Sequence, residues 1–237
     1  MKKKAVILAG GKGTRLKPYS IVLPKPLVPI HEYPVLELII RQLRYYDFID
    51  ITIAVNHMAE LIMAYFGDGS KWGVKIEYSL EDIPLSTMGP LRLIKNLPDN
   101  FLIMNGDVIT DLNLSSFYDK HISSGALFTI ASHKRTIKSE YGVLNANELN
   151  KLIGFSEKPE LKFLVSMGIY MANKKILGKI PEGVPFGFDH LMKKLLDDKE
   201  NVIVYPFDGY WLDIGRPDDY SQAIDDFDSI KNVFFKD

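Results

Sequence analysis

The nine residues Leu8-Ala9-Gly10-Gly11-Lys12-Gly13-Thr14-Arg15-Leu16 lie where the apolar run Ala5-Val6-Ile7-Leu8-Ala9 ends. Three glycines in four positions permit positive φ and close backbone approach, so consecutive N–H groups can turn towards an anion while Lys12 and Arg15 add charge. Phosphate binding is the chemistry this pattern suggests. The dinucleotide fingerprint G-x-G-x-x-G fits Gly11 and Gly13 but needs a third glycine at Leu16, and the Walker pattern needs G-K-[ST] after four spacer residues, which is absent. The plainer alternative for the loop is a tight turn beside solvated cations. Further on, Pro24-Lys25-Pro26-Leu27 sets a lysine between two prolines. Fixed φ at the prolines and extended geometry before them hold Lys25 on a stiff segment, as suits a positioned charge; taken alone, Pro-Lys-Pro also reads as a solvated turn.

The elements that must position these residues follow from hydrophobic periodicity. Ala5–Ala9, Ile51–Val55 and Phe101–Met104 read as strands buried on both faces, and Pro34–Tyr46 carries Val35, Leu36, Ile39, Ile40 and Leu43 at helical spacing. The βαβα order predicts an α/β protein: a Rossmann-like, mostly parallel mixed sheet with helices on both faces, binding ligands beyond the carboxyl ends of its strands. In the second half Ala126–Ile130, Tyr141–Leu144, Lys151–Phe155, Phe163–Val165 and Gly168–Met171 are short strand-like runs between turn residues, expected as antiparallel additions to the same sheet. Helical segments are expected at about 187–199 and 218–227. With no Pro/Ser-rich linker, repeat or low-complexity tract, residues 1–237 read as one domain.

Composition narrows the partners. Of 237 residues, 29 are Lys or Arg and 30 Asp or Glu, for a formal charge of −1, so no global field draws the chain to nucleic acid or an anionic membrane. An anionic ligand must be held by a local site. The absence of cysteine removes disulfides, a thiolate nucleophile and Cys-ligated metal. The apolar run after Lys2-Lys3-Lys4 is shorter than an export signal requires, and no stretch approaches the length of a membrane span. A cytoplasmic location is the expectation.

The glycine-rich loop and Pro24-Lys25-Pro26-Leu27, followed in order by Asn105-Gly106-Asp107, Tyr141-Gly142-Val143, Glu157-Lys158-Pro159, Gly168-Ile169-Tyr170 and Trp211-Leu212-Asp213-Ile214-Gly215, resemble the signature of the sugar-1-phosphate nucleotidylyltransferases. The resemblance covers nearly the whole chain. It implies the nucleotide-diphospho-sugar transferase fold, with a nucleotide-binding part over about 1–110 and a sugar-binding part over about 111–225. It also implies a reaction in which a sugar 1-phosphate oxygen attacks the α-phosphorus of a nucleoside triphosphate, giving a nucleotide sugar and pyrophosphate for glycan or surface-polysaccharide synthesis. Such displacement needs positioning and charge neutralisation and no protein nucleophile.

By that resemblance the backbone of Gly10, Gly11 and Gly13, with Leu8, Thr14, Glu81 and Gly106, would hold the nucleotide. Arg15 would neutralise the departing pyrophosphate and Lys25 would bridge the reacting phosphates. Asp107 and Asp213 would hold Mg²⁺, a hard cation that takes few protein carboxylates. Glu157 would accept sugar hydroxyls, Lys158 would contact the sugar phosphate, and the Gly142 and Gly168 backbones would close on the sugar. Without the family context Asp107 reads equally as a turn former and Glu157-Lys158 as a solvated charge pair. Asp111 fits a turn role, and Tyr141 and Tyr170 read equally as core aromatics.

Several positions depart from the family pattern. In Glu81-Asp-Ile-Pro-Leu-Ser-Thr-Met-Gly-Pro-Leu91, Ser86 replaces a glycine and Met88 and Pro90 replace alanines in the loop expected against base and sugar. Ser166-Met167-Gly168 stands where many relatives carry Asn-Ala-Gly. Phe66-Gly-Asp-Gly-Ser-Lys-Trp-Gly73 and the Glu81 loop resemble the guanylyltransferase branch acting on mannose, heptose or amino-sugar 1-phosphates, which points to GTP ahead of dTTP, UTP or CTP. Relatives are commonly dimers or tetramers, and a homo-oligomer is a further expectation. The carboxyl-terminal β-helical domain of some relatives is not expected here. A non-catalytic nucleotide-sugar sensor is the competing reading of another class, disfavoured because the charged residues for every chemical role are retained. A dinucleotide-dependent oxidoreductase is disfavoured by Leu16.

Overall fold

Alternate residues of the central strands feed two different cores. Ala5, Ile7, Leu102, Met104, Ile169 and Met171 belong to one buried cluster, and Val6, Phe101, Ile103, Tyr170 and Ala172 to another on the opposite face. A sheet buried on both faces needs apolar residues at every position, which is why these strands are continuous apolar runs. The computed structural model describes residues 3–235. In chain order its strands are β1 (Lys4–Leu8), β2 (Pro29–Ile30), β3 (Tyr33–Pro34), β4 (Asp50–Val55), β5 (Lys75–Leu80), β6 (Asn100–Asn105), β7 (Val108–Thr110), β8 (Phe128–Lys138), β9 (Val143–Ala146), β10 (Leu152–Ser156), β11 (Glu160–Asn173), β12 (Val202–Phe207) and β13 (Trp211–Asp213). The α-helices are α1 (Val35–Tyr45), α2 (Ala59–Phe66), α3 (Leu114–Ser124), α4 (Phe188–Asp197) and α5 (Pro217–Ile230).

Seven strands form the main sheet in the order β12-β8-β11-β6-β1-β4-β5. β4 and β6 flank β1 in parallel, β5 continues parallel beyond β4, and β11 runs antiparallel to both β6 and β8. β12 is parallel to β8, so β11 alone opposes the common direction. The chain leaves β1 to either side, and the crevice at its carboxyl end is the switch point at which such sheets bind ligands. The class predicted from sequence is the one observed, with β11 as the antiparallel insertion. The runs at Tyr141–Leu144 and Lys151–Phe155 do not join that sheet. β9 and β10 pair only with each other, as a hairpin. Phe163–Val165 and Gly168–Met171 are parts of the single 14-residue strand β11, whose register on β8 shifts between Ser166 and Tyr170.

Local signals set the helices. α1 buries Val35, Leu36, Ile39, Ile40 and Leu43 as one stripe, each such side chain contributing about 1.5–3 kcal/mol on burial. Asn113 Oδ1 accepts the Ser116 N–H at 2.9 Å to cap α3, which ends at Gly125 with φ 59°. Pro217 opens α5, and Asp218 and Asp219 complement its amino-terminal dipole. His121 on α3 is fully buried, its Nδ1 2.7 Å from Thr129 Oγ1 and its Nε2 3.1 Å from Asn100 Oδ1. Burial pushes its pKa down to about 4, so it ties α3 to β8 and β6 as a neutral ring. No helix among the described residues is long and apolar enough to cross a membrane.

Beyond the sheet, β8 and β11 run on as a two-stranded ribbon in which Leu161 faces Ile137 and Glu160 faces Lys138. The hairpin β9–β10 lies in the connection between them. Ribbon and hairpin form an arm whose residues are almost all exposed.

Candidate active site

β1 delivers the glycine-rich loop to the switch point. Gly13 adopts φ 60°, and a Cβ there would lie 3.1 Å from Lys25 Cβ and 3.2 Å from Ser20 Cβ, so glycine is required both for conformation and for space. Ser20 Oγ donates to the Gly13 carbonyl at 2.6 Å and the Leu16 N–H donates to the same oxygen at 2.9 Å, which fixes the loop's exit. Leu16, where a dinucleotide loop needs glycine, is fully buried in the core. Lys25 opens a tight turn over Lys25–Leu27, closed by the Leu27 N–H on the Pro24 carbonyl at 2.8 Å and the Val28 N–H on the Lys25 carbonyl at 3.1 Å. The stiff segment read from the two prolines is present.

The aspartates arrive from separate strands. β13 pairs antiparallel with β7, and the Ile214 N–H donates to the Asp107 carbonyl at 3.0 Å, which sets Asp107 and Asp213 side by side. Trp211 Nε1–H anchors that strand on the Met167 carbonyl at 3.0 Å. Lys25 Nζ donates to Asp107 Oδ2 and lies 3.8 Å from Asp213 Oδ1. Burial first, and then the neighbouring Asp107 carboxylate, push the Asp213 carboxyl above the ordinary range, while Lys25 and Arg15 pull it back. Oδ1 of each aspartate is buried without a hydrogen-bond partner. Two carboxylates with unsatisfied hard oxygens fit a cation such as Mg²⁺, which keeps several waters and needs only one or two protein ligands. Among the described residues no group of three or more His, Cys, Asp or Glu could hold a metal, so this pair is the donor set available. Asp111 Oδ1 accepts the Tyr210 N–H at 2.7 Å, a long-range tie in place of the local turn expected of it.

Glu81 also lines the crevice, beside Gly10. Its Oε2 accepts the Leu85 N–H at 2.9 Å, and its Oε1 is so close to the loop that a Cβ at Gly10 would lie 2.8 Å from it. Burial raises its pKa, and the Leu85 N–H partly offsets the rise. Asn56, just after β4, donates from Nδ2 to the Glu81 carbonyl at 3.0 Å. Between Glu81 and Asp107 runs a cavity of about 600 Å³, lined by Leu8, Gly10, Gly11, Gly13, Thr14, Arg15, Lys25, Glu81, Gly106 and Asp107. It therefore unites the residues expected for nucleotide and catalysis, and Asp213 joins them through Lys25.

The residues expected for the sugar phosphate are placed differently. Gly142, Glu157 and Lys158 lie exposed on the arm and do not line the cavity, and Lys158 has φ 42°. Gly168, with φ 73°, borders the cavity through Asn105: a Cβ there would lie 2.6 Å from Asn105 Nδ2. Sequence reading missed Asn56, Asn105, Pro84, Thr87 and Gly215 as lining residues. The first two were recoverable as polar residues at carboxyl ends of buried strands, where this fold binds ligands. Ser86 and Pro90 do line the cavity, Ser86 holding the left-handed φ of 64° that a glycine would adopt freely. Met88 does not; it is fully buried in the core, so its bulk does not narrow the loop's ligand face. Ser166 Oγ donates to Tyr170 OH at 3.0 Å and accepts from the Gly168 N–H at 3.3 Å. Tyr170 is a buried core aromatic, whereas Tyr141 is exposed.

Known proteins resemble this chain over most of its length. The family model described as "Nucleotidyl transferase" matches residues 4–229. A UTP–glucose-1-phosphate uridylyltransferase of Synechocystis sp. is 36% identical over 93% of this chain and 62% of its own length. A mannose-1-phosphate guanyltransferase of Candida albicans is 33% identical over 92% of this chain and 62% of its own. The chain thus spans less than two thirds of the length of these relatives. Among solved structures, HddC from Yersinia pseudotuberculosis superposes with a TM-score of 0.74 at 26% identity, covering 95% of this chain and 99% of that one. A putative glucose-1-phosphate thymidylyltransferase from Bacillus anthracis shares the fold with a TM-score of 0.75 at 24% identity, over 94% of each chain. From the glycine-rich loop at Gly10 to the aspartate at 213, the chain belongs to the nucleotidyl transferase family.

Proposed function

We propose that the protein is a sugar-1-phosphate nucleotidylyltransferase that prefers GTP. An oxygen of the sugar 1-phosphate attacks the α-phosphorus, the bond from that phosphorus to the bridging oxygen of the β-phosphate breaks, and pyrophosphate leaves with the electron pair. The observation that carries this reading is one cavity lined by the glycine-rich loop, Arg15, Lys25, Asp107 and Glu81. The loop N–H groups and Arg15 hold the triphosphate and receive the growing charge on pyrophosphate, as cations and oriented N–H groups do where charge develops. Lys25, stiffened by its prolines, sits where the two reacting phosphates meet. Asp107 and Asp213 would hold Mg²⁺, which when bound would neutralise phosphate charge for displacement.

Guanine is favoured by the chemistry of Glu81. A carboxylate offers only acceptors, and guanine presents adjacent N1–H and N2–H donors on one edge. Uracil and thymine present one donor between two carbonyls, which a carboxylate repels. The named relatives include both uridylyl- and guanylyltransferases, and the HddC structure was also obtained complexed with GMP-PN. The segment over about 1–110 binds the nucleotide and that over about 111–225 the sugar, with Gly142, Glu157, Lys158 and Gly168 contacting the sugar phosphate. A cytoplasmic location is part of this reading, and nucleotide sugar for glycan or surface-polysaccharide synthesis is the product.

The test is a matrix of GTP, UTP, dTTP and CTP against hexose, heptose and amino-sugar 1-phosphates, read as pyrophosphate released with Mg²⁺. Release is expected only when both substrates are present, and fastest with GTP. No release anywhere in the matrix would refute transfer, and a faster rate with UTP would refute the base assignment alone.

A further inference from the structure

A second cavity, of about 360 Å³, shares no lining residue with the crevice. Small-molecule sites ordinarily measure about 300–1,000 Å³, so its size suits a ligand no larger than a nucleoside monophosphate. It lies between the carboxyl-terminal half of α1, the tight turn Ser70–Trp72 and the chain beyond α5. Those three pieces contribute Arg41, Arg44 and Tyr45, then Lys71 and Trp72, then Phe235. Three cations converge there, and among the described residues no carboxylate lines the cavity.

The three cations differ in what they already hold. Arg41 is neutralised: its Nε and Nη2 donate to Glu37 Oε1 at 3.0 and 2.7 Å, and its guanidinium lies 4.9 Å from the Phe235 ring centroid. Glu37 is buried, and its other oxygen accepts from Tyr65 OH at 3.1 Å. Arg44 and Lys71 pair with no carboxylate among the described residues. Lys71 Nζ is held over the Trp72 and Tyr65 rings, 4.8 and 5.7 Å from their centroids. Arg44 lies against Gly73, where a Cβ would come within 3.0 Å of its Nε, so the glycine, at φ 69°, leaves the guanidinium its place. The helix dipole accounts for a cation in the last turn of α1 but not for Lys71, which comes from another element. Arg41 and Arg44 stand one turn apart on α1, where like charges repel.

Two unpaired cations call for a dianion. A phosphomonoester carries close to two negative charges at neutral pH, with three acceptor oxygens that suit a guanidinium and an ammonium together, whereas a carboxylate carries one charge. The rings add a second demand. Tyr45 and Phe235, 45 and 37% exposed, leave aromatic surface on which a flat group can stack. We infer that this cavity is a second ligand site, for a small phosphomonoester that carries an aromatic or heteroaromatic ring. Nothing in the site depends on the transfer reaction or on the base held in the crevice.

Adenosine 5′-monophosphate serves as the probe, with adenosine and ribose 5-phosphate as its ring-only and phosphate-only halves. The chain has two tryptophans, Trp72 in this cavity and Trp211 on β13, so 6-fluorotryptophan labelling gives two fluorine resonances, told apart by Trp72→Phe. Titration of the whole chain with the monophosphate should move the Trp72 resonance saturably, with a dissociation constant on the order of 0.1 mM. Each half should bind at least about tenfold more weakly. Lys71→Gln and Arg44→Gln, substitutions of exposed side chains on separate elements, should each weaken the monophosphate about tenfold and leave adenosine unchanged, so one variant suffices if the other fails to fold. No movement of the Trp72 resonance up to about 5 mM monophosphate would overturn the site. So would equal affinity for either half, or wild-type affinity for the monophosphate in a folded Lys71→Gln or Arg44→Gln chain.

Discussion

Replacing Glu81 by glutamine removes its charge from the cavity lining while keeping its shape. The glutamine carbonyl can still accept the Leu85 N–H that Glu81 Oε2 accepts at 2.9 Å, which turns its amide nitrogen towards the base. Guanine then loses two charge-assisted acceptors and meets a donor. A hydrogen bond to a charged group contributes about 1.5–3 kcal/mol, and Glu81 is only partly buried, so the low end applies. Two such bonds amount to about 3 kcal/mol, or roughly a hundredfold weaker GTP binding, while a new bond from the amide to a uracil carbonyl adds about 1 kcal/mol for UTP. Calorimetric titration of Glu81→Gln with GTP, UTP, dTTP and CTP measures this directly. Because burial raises the Glu81 pKa, wild-type GTP affinity should also fall as pH is lowered through a value above the ordinary glutamate range, and the variant should lack that dependence. An unchanged GTP to UTP ratio in a variant of wild-type thermal stability would refute Glu81 as the reader of the base.

Asp107→Asn should lower turnover about 10²- to 10³-fold at saturating Mg²⁺ while leaving GTP affinity in titration nearly unchanged, because the amide keeps the shape and loses the charge. Lys25→Met leaves Asp107 and Asp213 facing each other; with side chains 13, 20 and 45% exposed, the loss of the ion pairs is expected to cost about 2–3 kcal/mol and to lower the melting temperature by about 5–10 °C, partly restored by added Mg²⁺ in a thermal-shift assay. His121 titrates near 6.5 when unfolded and at about 4 when folded, so its contribution is complete above pH 6.5 and lost as pH falls towards 4, by up to about 3 kcal/mol. Urea midpoints measured across that range should show the decline, and His121→Gln should flatten it.

What was legible in the sequence were the parts in which composition and burial coincide. β1, β4, β6 and α1 announce themselves because continuous apolar runs and a helical stripe have one economical explanation. β5, at the sheet edge, reads Lys75-Ile-Glu-Tyr-Ser-Leu80 with half its side chains in solvent, and its alternation is too short to stand out. The arm misled in the opposite direction: Leu144, Ile153 and Phe155 are as apolar as core residues, and periodicity reports apolarity without saying what lies against it. In the site, the glycine-rich loop and Lys25 were legible because Gly and Pro constrain the backbone wherever they occur. Asn56 and Asn105 went unassigned although each stands at the carboxyl end of a buried strand, because an asparagine there is common and only the sheet order shows that these two share one crevice. The proximity of Asp107 to Asp213 likewise depends on pairing between β7 and β13, three-residue strands with no signal of their own.

β11 belongs to the arm and to the cavity wall at once. Its amino-terminal half stands in solvent and its carboxyl-terminal half is clamped between β6 and β8. A stiff rod held at one end and free at the other is a lever. Its fulcrum is the register shift between Ser166 and Tyr170, where Gly168 faces Asn105 with no room for a Cβ. A load on the free end is delivered as torque at that point, so whatever steadies the arm also steadies the cavity wall at Asn105, and a bulkier residue at 168 would jam the pivot against that side chain.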